Sequence, residues 1–318
     1  MRYLRLTTSG IEISAIVMGT WQAGKSMWSG IDDRESIRAI RAAFDAGVTT
    51  FDTAEEYGKG HSERILGEAL KGARVKTVIA SKVRSRNLEP AVLVEACNRS
   101  LENLSTDYMD LYQIHWPAGT WGTKAVPVSE SIGALVRLRE QGKIRAIGVS
   151  NFSVSQLEEA MNCGPIESLQ PPYSLFWRQA EKELLPFCNA HGITVLAYSP
   201  MAQGFLTGRF GPGHVFGKKD HRRRNRLFAP ENIVKVERAM NLFLPVADSL
   251  GVSPARLALA WVLRREGICA VAGARNERQA RDNAAAADLF LAGDVLEMLD
   301  QVSAIVVEGL DDDMVQWR

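Results

Sequence analysis

The stretch TTFDTAEEYGKGHSERILGEALKGARVKTVIASK, residues 49–82, contains one complete strand–helix–strand unit. The runs at 49–54 and 77–82 are short and nearly continuous, which is typical of strands buried on both faces. Between them, residues 62–71 have the spacing of a helix, and Ser62 is the expected N-terminal cap. A helix that separates two buried strands predicts a βαβ unit and a parallel sheet.

The same pattern recurs along the whole chain. Eight apolar runs of strand length occur, at 13–19, 49–54, 77–82, 109–115, 144–150, 166–172, 193–199 and 268–274. Segments with helical spacing lie between or beside them, at 33–46, 62–71, 89–104, 129–141, 153–162, 179–190 and 253–266. Eight such units in about 300 residues predict an α/β protein with a closed (β/α)8 TIM barrel.

Three regions lie outside the repeat. The N-terminal residues predict a β-hairpin that turns at Ser9–Gly10 and plugs the bottom of the barrel. Residues 204–230 and the tail after Leu299 are expected to be loops that cover the barrel mouth, the tail forming a C-terminal extension. No Pro/Ser-rich linker divides the chain, so residues 1–318 are predicted to form a single domain. A doubly wound dinucleotide-binding sheet is disfavoured, because no G-x-G-x-x-G follows the first strand.

The composition limits the possible partners. The 318 residues include 38 basic and 37 acidic side chains, so the net charge is +1, which offers no global field to attract nucleic acid or an anionic membrane. No uncharged apolar run approaches the roughly 18 residues of a membrane span, and no apolar stretch of signal-peptide length opens the sequence. Cys97, Cys163, Cys188 and Cys269 form no CxxC pair, which favours free thiols in a reducing compartment, the cytoplasm.

Polar side chains stand where several strands end. Asp52 ends the second strand, Tyr57 lies in the loop after it, Lys82 ends the third strand and His115 ends the fourth. Each residue alone has an ordinary structural explanation. Active sites of this fold lie at the carboxyl ends of the strands, so the four side chains are expected to converge at one barrel mouth.

These four residue types fit one kind of chemistry. A free tyrosine has a pKa of about 10, and a nearby cation favours tyrosinate by up to about three pKa units. Lys82, held by Asp52, is therefore expected to make Tyr57 a usable general acid, while His115 orients a substrate oxygen by a hydrogen bond. A site that protonates an oxygen in this way requires a hydride donor, which a bound cofactor would supply.

Several widely spaced motifs resemble the aldo-keto reductase superfamily. They are FDTAEEYGKGHSERILGEAL (51–70), ASK (80–82), DLYQIHWP (110–117), GKIRAIGVSNFS (142–153), AYSPMAQGFLTGRF (197–210) and GARNERQARDN (273–283). They cover essentially the whole chain in order. The pattern is similar to the bacterial and plant reductases that are related to the potassium-channel β-subunit group.

The resemblance implies an NADPH-dependent oxidoreductase that reduces aldehyde or ketone carbonyls of small molecules, reversibly. It implies a catalytic tetrad of Asp52, Tyr57, Lys82 and His115. The implied cofactor-binding residues are Gly19, Thr20, Trp21, Asp52, Ser150, Asn151, Gln170, Tyr198, Ser199, Pro200, Met201, Ala202, Gln203, Gly204, Leu206, Arg209, Gly273, Arg275, Gln279, Asp282 and Asn283. The implied substrate-binding residues are Trp21, Trp28, Tyr57, His115 and Trp116.

Some alternatives stay open at this point. NADPH is favoured over NADH because Arg209 and Arg275 suit a 2′-phosphate. The basic run at 218–226 is either a solvated loop or a clamp on the cofactor phosphates, through Arg222, Arg223 or Arg224. An alternative function is a slow-turnover, NADPH-sensing regulatory subunit that docks on a partner protein. A metal-dependent hydrolase is disfavoured and no metal site is predicted, because His115 is the only histidine at a predicted strand end.

Overall fold

Eight parallel strands close into a barrel in the computed structural model, which describes residues 1–210, 214–217 and 220–310. Two strands precede the barrel, β1 (Tyr3–Arg5) and β2 (Glu12–Ser14). The barrel strands are β3 (Ile16–Gly19), β4 (Thr50–Asp52), β5 (Val78–Val83), β6 (Met109–Ile114), β7 (Ile144–Ser150), β8 (Ser168–Gln170), β9 (Thr194–Tyr198) and β10 (Ile268–Gly273). Each pairs with the next in chain order, and β10 pairs with β3. The predicted (β/α)8 barrel is confirmed.

Helices surround the barrel and bury its outer face. They are α1 (Asp33–Asp45), α2 (His61–Ala69), α3 (Pro90–Leu104), α4 (Val128–Glu140), α5 (Val154–Met161), α6 (Leu184–Ala190), α7 (Pro230–Ser249), α8 (Pro254–Val262), α9 (Glu277–Ala285) and α10 (Gly293–Val307). Consecutive helices contact one another from α1 to α5 and again from α7 to α9, and α9 contacts α1. The main apolar core lies between this layer and the barrel.

The N-terminal hairpin plugs the barrel, as predicted. Strands β1 and β2 pair antiparallel, and Gly10 in the turn has a φ of 68°, which glycine adopts without strain. Leu6 and Ile13 are fully buried and pack in a second apolar cluster with Val17 and Leu111 from the barrel strands. The hairpin therefore closes the end of the barrel opposite the carboxyl ends of the strands.

The predicted first strand, 13–19, spans two different strands. The chain leaves β2 at Ser14 and enters β3 at Ile16. The Ser14 hydroxyl donates to the carbonyl of Ile16 (2.7 Å), and its oxygen accepts from the backbone N–H of Thr50 (3.1 Å). These local bonds turn the backbone between the plug and the barrel, a corner that an unbroken apolar run does not reveal.

The prediction that Ser62 caps the second helix is wrong. Helix α2 begins at His61, and its cap position is Gly60, with a φ of 83°. The Ser62 hydroxyl instead donates to the carbonyl of Thr20 (2.8 Å) and also contacts the hydroxyls of Thr20 and Thr53. Tertiary contacts at the ends of β3 and β4 thus recruit a side chain that would otherwise cap its own helix.

The C-terminal part of the chain is more helical than predicted. The tail after Leu299, expected as a loop, continues helix α10 to Val307, and Val302 and Val306 bury an apolar stripe. Helices α7 and α9 were not predicted. Segment 179–190 was predicted as one helix, but it is a short 3-10 turn, Gln179–Glu181, followed by α6. The expected loop at 204–230 contains short 3-10 turns; its residues 211–213 and 218–219, and the tail residues 311–318, lie outside the described part of the chain.

The four cysteines are free thiols; Cys97, Cys188 and Cys269 are buried and Cys163 is half-buried. Within residues 1–210, 214–217 and 220–310, no single helix is long and apolar enough to cross a membrane. Helices α7 and α8 pass such a test only as a pair, and a bend of 96° separates them.

Candidate active site

A cavity of about 1350 Å³ opens at the carboxyl ends of the barrel strands. It exceeds the roughly 300–1,000 Å³ of ordinary small-molecule pockets. Nearly all of the residues predicted for the site line it, which are Gly19, Trp21, Trp28, Asp52, Tyr57, His115, Trp116, Ser150, Asn151, Gln170, Tyr198, Ser199, Pro200, Met201, Gln203, Gly204, Arg209, Gly273, Arg275, Gln279, Asp282 and Asn283. The barrel thus brings together residues from the carboxyl ends of its strands and from the loops that follow them.

Lys82 lies completely buried under the floor of this cavity. Its Nζ donates to Asp52 Oδ1 (2.6 Å), to the Thr53 carbonyl (2.9 Å) and to Tyr57 Oη (3.4 Å). An ammonium group has three N–H donors, and each has an acceptor here. One N–H of the Lys82 ammonium is therefore directed at the Tyr57 phenol oxygen. The sequence predicted that these two side chains would lie together.

The pKa of the phenol differs from the expectation. Burial raises the pKa of Tyr57 well above its usual value, and the negative charges of Asp52 and Glu56 raise it further. Burial also lowers the pKa of Lys82, against the opposing effect of Asp52. The direction for Tyr57 is opposite to the one expected from the sequence, and burial of the phenol is its largest cause. Tyr57 keeps its proton at neutral pH.

His115 packs edge-to-face against Tyr57, with the ring centroids 5.6 Å apart. Burial lowers the pKa of its imidazole well below the usual value, and the positive charge of Lys82 lowers it further. The ring is therefore neutral at physiological pH, so that only one of its nitrogens carries a proton. A neutral imidazole at this place can donate one hydrogen bond to a ligand oxygen.

A buried amide network extends from Asp52 to the opposite wall. Asp52 Oδ2 accepts from Gln170 Nε2 (2.9 Å) and, more distantly, from Gln113 Nε2 (3.5 Å). The Gln170 Oε1 atom makes no hydrogen bond to the described residues and remains available as an acceptor. Gln113 is a residue of β6 that sequence reasoning missed, since a fully buried glutamine inside an apolar strand gives no signal of its partner.

Ser150 and Asn151, at the end of β7, are bonded to their neighbours. Asn151 Nδ2 donates to the His115 carbonyl (3.0 Å) and to Ser150 Oγ (3.0 Å), while its Oδ1 accepts from the Tyr198 hydroxyl (2.9 Å). Asn151 adopts a left-handed backbone, with a φ of 62°. Its amide therefore joins the ends of β6, β7 and β9 on one side of the cavity.

The turn after β9 has features that fit a polar ligand. Ser199, Ala202 and Gln203 all have left-handed backbones, with φ between 49° and 54°. Such strain in non-glycine residues is concentrated at functional sites. Both polar atoms of the Gln203 side chain are buried without a hydrogen-bond partner, at a position that lines the cavity. A buried unpaired amide is costly and indicates a missing partner, so this turn fits a bound molecule with polar groups.

Three guanidinium groups gather on the same side of the cavity. Burial lowers the pKa of Arg275, and the positive charges of Arg222 and Arg209 lower it further. Mutual repulsion of this kind is relieved by an anion, so the donor set fits a phosphate group. Arg222 is itself paired with Asp220 (2.6 Å) and lies over the Trp28 ring.

The predicted site residues of helix α9 are hydrogen-bonded to neighbouring elements of the protein. Gln279 Oε1 accepts from the backbone N–H of Arg275 (2.9 Å), and Asn283 Nδ2 donates to the Gly273 carbonyl (3.1 Å). Asp282 accepts from Arg256 (2.8 Å) and from the Ser253 hydroxyl. These bonds hold α9 against the end of β10 and the start of α8.

Some predicted residues lie behind the cavity wall. Thr20, Ala202 and Leu206 are buried and do not line the cavity. Of the three arginines that the sequence left open, Arg222 and Arg224 line it and Arg223 does not. The part of the basic run at 218–219 lies outside the described residues.

The predicted aromatic wall is present and larger than expected. Trp21 and Trp28 pack edge-to-face with centroids 5.3 Å apart, and the His221 ring lies 4.4 Å from Trp21. Trp116 contacts Trp121, whose side chain is mostly exposed at the cavity mouth. Sequence reasoning missed Trp121, which belongs to the loop after β6 and matches no motif.

A match to a protein-family model identifies the family to which this barrel and its site belong. The model described as "Aldo/keto reductase family" matches residues 15–304. This chain belongs to the aldo/keto reductase family. It is 38% identical to the Aldo-keto reductase YhdN of Bacillus subtilis over 291 residues, which are 88% of this chain and 86% of the relative. It is 33% identical to the NADH-specific methylglyoxal reductase of Escherichia coli, over 92% of this chain and 95% of the relative.

Solved structures agree with this assignment. The glycerol dehydrogenase AKR11B4 from Gluconobacter oxydans matches this aldo/keto reductase with a TM-score of 0.88 and 34% identity, covering 98% of each chain. An aldo/keto reductase from Klebsiella pneumoniae, solved in complex with NADP and acetate, has a TM-score of 0.76 and 30% identity, with 99% of each chain covered. The predicted kinship with the potassium-channel β-subunit group is also confirmed, because a probable voltage-gated potassium channel subunit beta of Oryza sativa is 31% identical over 96% of this chain and 97% of the relative.

The described residues of this aldo/keto reductase contain no group of three or more His, Cys, Asp or Glu side chains arranged to hold a metal ion. The cations that line the cavity are more numerous than sequence reasoning expected. Arg278 adds a further guanidinium beside Arg275, and Arg84 and Arg86 follow Lys82 at the end of β5. In the sequence these arginines could not be distinguished from arginines that are exposed to solvent, because both kinds stand among other charged and polar residues.

Proposed function

We propose that this aldo/keto reductase reduces aldehyde or ketone carbonyls to alcohols with NADPH, and that Tyr57 is the proton donor. One observation carries the proposal: Lys82 Nζ lies 3.4 Å from Tyr57 Oη at the floor of a cavity large enough for a dinucleotide and a substrate. The tetrad Asp52, Tyr57, Lys82 and His115 acts as one unit in this proposal. Its completeness favours catalysis over the slow-turnover sensor.

The cofactor proposal rests on the donor groups of the cavity. Both polar atoms of the Gln203 side chain are buried without a partner, and Gln170 lines the cavity with its Nε2 bonded to Asp52; these two amides suit the pyrophosphate and carboxamide parts of a nicotinamide dinucleotide. Arg275, with Arg209 nearby, suits a 2′-phosphate, which supports NADPH over NADH. When bound, the reduced nicotinamide supplies a hydride to the carbonyl carbon. One relative is named NADH-specific, so the preference needs a direct measurement.

The protein's own residues provide the proton and the orientation. The carbonyl oxygen accepts a hydrogen bond from the Tyr57 hydroxyl and another from the neutral His115 ring. Because burial raises the pKa of Tyr57, the phenol is protonated before reaction. As the oxygen becomes an alkoxide it takes this proton, and the Lys82 ammonium stabilises the phenolate that remains. Asp52 and the Thr53 carbonyl keep Lys82 in place throughout.

Two coarser proposals accompany this one. The absence of a helix long and apolar enough to span a membrane within the described residues and the four free thiols support a location in the reducing cytoplasm. The single closed barrel supports a chain that acts as one domain over residues 1–318.

The substitution Tyr57→Phe tests the proton donor. We expect it to lower kcat/KM for aldehyde reduction by about 10²- to 10⁴-fold, because the proton is lost while the ring and its packing remain. NADPH binding, measured by quenching of tryptophan fluorescence, should be retained. Tyr3→Phe is the matched control, since Tyr3 is exposed and its hydroxyl donates to the Gly47 carbonyl far from the cavity. Near-normal turnover by the Tyr57 variant would reject the proposed mechanism.

A further inference from the structure

The cavity wall beyond Tyr57 is cationic, and nothing in the proposed reaction uses that charge. Arg84, Ser85 and Arg86 form this wall, directly after Lys82 on the chain, and we call it the Arg-Ser-Arg wall. Lys59 also lines this part of the cavity, and Glu56 is the acidic residue that faces them. Since Lys82 and Asp52 neutralise each other, the side chains that line this half of the cavity leave a net positive charge.

The guanidinium of Arg84 is held by two long ion pairs, to Glu55 and Glu56, and makes no hydrogen bond to the described residues. Its Nε is buried without a partner and lies 4.0 Å from Glu55 Oε1, while its Nη1 lies 3.6 Å from Glu56 Oε2. The Glu55 carboxylate is instead occupied by the backbone N–H of Arg84 (2.9 Å) and by Asn87 Nδ2 (3.0 Å). A buried guanidinium N–H without an acceptor is costly, so a ligand that offers an acceptor to Arg84 Nε would be favoured at this wall.

The second arginine of the wall is less engaged than Arg84. Arg86 is exposed, lines the cavity and has no ion pair or hydrogen bond with any residue that the structure describes. The backbone between the two arginines is fixed by a 3-10 turn, Ser85–Asn87, in which Asn87 N–H donates to the Arg84 carbonyl (2.9 Å). The two cationic side chains therefore project from a rigid support, which lowers the entropic cost of binding a ligand.

The wall lies on the opposite side of the barrel from the proposed cofactor groups. The barrel order places β4, β5 and β6 side by side, and Tyr57, Arg84 and His115 follow these strands. Gln203, Arg209 and Arg275, which are proposed for the phosphates of the dinucleotide, follow β9 and β10 instead. An anion held by Arg84 would thus lie beside Tyr57 without competing with the phosphates of the cofactor.

We propose that the Arg-Ser-Arg wall binds the negative charge of an anionic carbonyl substrate, a carboxylate or phosphate ester carried by the molecule whose aldehyde or ketone is reduced. The proposal rests on the proposed carbonyl reduction. In that reaction a bound reduced nicotinamide would supply the hydride for the carbonyl carbon and be oxidised, while Tyr57 would give its proton to the carbonyl oxygen to complete the alcohol. The anionic group is unchanged and serves only to position the carbonyl, with Arg84 donating charge-assisted hydrogen bonds to it.

The test compares charged and neutral versions of the same skeleton. Rates of NADPH-dependent reduction are measured for succinic semialdehyde and its methyl ester, and for glyceraldehyde 3-phosphate and glyceraldehyde. We expect at least a tenfold higher kcat/KM for the anionic member of one pair, since a hydrogen bond to a charged group contributes about ten- to a hundredfold. The pair that shows the preference identifies the carboxylate or the phosphate as the recognised group. A high salt concentration should reduce the preference, because part of the wall is exposed.

Substitutions then locate the effect. Arg84→Met should reduce the anionic-to-neutral ratio by about ten- to a hundredfold, and Arg84→Lys should restore part of it, since lysine keeps the charge without the fork of donors. Arg86→Met should have a smaller effect. Arg137→Met, which removes an exposed charge from the outer face of helix α4, is the control and should leave the ratio unchanged.

A binding measurement provides a readout that does not depend on turnover. Titration calorimetry with succinate and succinamide, with and without NADP⁺, should show succinate bound more tightly to the unmodified protein and this difference reduced in Arg84→Met. If Arg84→Met does not fold by circular dichroism, Arg86→Met and the salt dependence decide the question.

The outcomes separate the two proposals. Equal use of charged and neutral substrates, or an equal loss for both in Arg84→Met, would overturn the anion site while leaving carbonyl reduction intact. No reduction of any of the four compounds, with NADPH or with NADH, would count against the proposed function itself.

Discussion

At the scale of single residues, the candidate site is governed by burial. Lys82 is completely buried, and its charge is balanced by Asp52 at 2.6 Å. Breaking such a pair by removing one partner usually costs about 3–5 kcal/mol, so the pair is also important to the fold. The same burial keeps the Tyr57 phenol protonated and the His115 imidazole neutral. The two groups that would contact a substrate oxygen are therefore both hydrogen-bond donors at neutral pH.

The protonation of His115 can be measured directly. Burial and the charge of Lys82 lower its pKa well below the usual value of about 6.5. NMR titration of the imidazole protons, assigned with a His115→Gln variant, should show no protonation of His115 as the pH falls from 8 to 6. Titration near pH 6.5 would show that the ring is not desolvated.

The same shift predicts a dependence of stability on pH. Below pH 6.5 the unfolded chain takes up a proton at His115 that the folded protein does not, so the free energy of unfolding falls with falling pH. The loss attributable to this residue between pH 7 and pH 5 is at most about 2 kcal/mol. Urea unfolding at both pH values should therefore show a smaller pH effect in His115→Gln than in the unmodified protein.

Arg275 allows a test of cofactor preference. We expect Arg275→Ala to weaken NADPH binding by about ten- to a hundredfold and NADH binding much less, because a guanidinium meets the extra phosphate of NADPH. Binding is measured by fluorescence quenching. Arg281→Ala is the control, since this arginine of helix α9 is half exposed and faces Asp45 instead of the cavity. An equal loss for both cofactors would refute a 2′-phosphate role for Arg275.

At the scale of secondary-structure elements, strand ends and helix caps set where the site residues stand. Asn151 ends β7 in a left-handed conformation, and helix α5 begins only three residues later. The start of α5 is fixed by a capping box, in which Ser153 Oγ accepts from Gln156 N–H (3.3 Å) and Gln156 Oε1 accepts from Ser153 N–H (2.9 Å). The helix predicted at 153–162 agrees closely with the observed one, although its spacing and not the capping box predicted it.

The capping box can be tested by substitution. Ser153→Ala should lower the free energy of unfolding by about 1 kcal/mol, because the N–H of Gln156 loses its acceptor. Ser153→Asp should retain most of the stability, since aspartate also caps a helix and suits the positive end of the helix dipole. Chemical denaturation followed by circular dichroism gives both values. Equal loss in the two variants would indicate that the hydroxyl acts in some way other than capping.

At the scale of the whole molecule, the closed barrel has the cavity at one end and the N-terminal hairpin packed into the other. Leu6 and Ile13 of the hairpin are fully buried within the barrel, so the N-terminal segment and strands from the middle of the chain share one apolar cluster. Such long-range packing predicts that the chain unfolds as one cooperative unit. It also places two groups of side chains across the same barrel mouth, the Arg-Ser-Arg wall on one side and the amides with Arg209, Arg222 and Arg275 on the other.

The plug gives a test of that cooperativity. Ile13→Ala should destabilise the protein by about 2–5 kcal/mol, because it opens a void inside the barrel. Val75→Ala is the control, since Val75 is 84% exposed and should change stability by less than about 0.5 kcal/mol. Tryptophan fluorescence and circular dichroism should give coincident unfolding curves for the single-domain chain. Two separate transitions would contradict the proposal of one domain.

The sequence by itself determined the repeat and the chemistry at its ends. Buried strands and amphipathic helices depend on local periodicity, and the motifs around Asp52, Tyr57, Lys82 and His115 are contiguous in the chain. The tertiary structure alone decided the hydrogen bonds of Ser62 to Thr20 and Thr53, the raised pKa of Tyr57 and the buried Arg84 Nε without an acceptor. Each of these depends on distances between segments far apart in the sequence and on the exclusion of water. Periodicity carries no information about either, because desolvation and charge pairing arise only when the barrel closes.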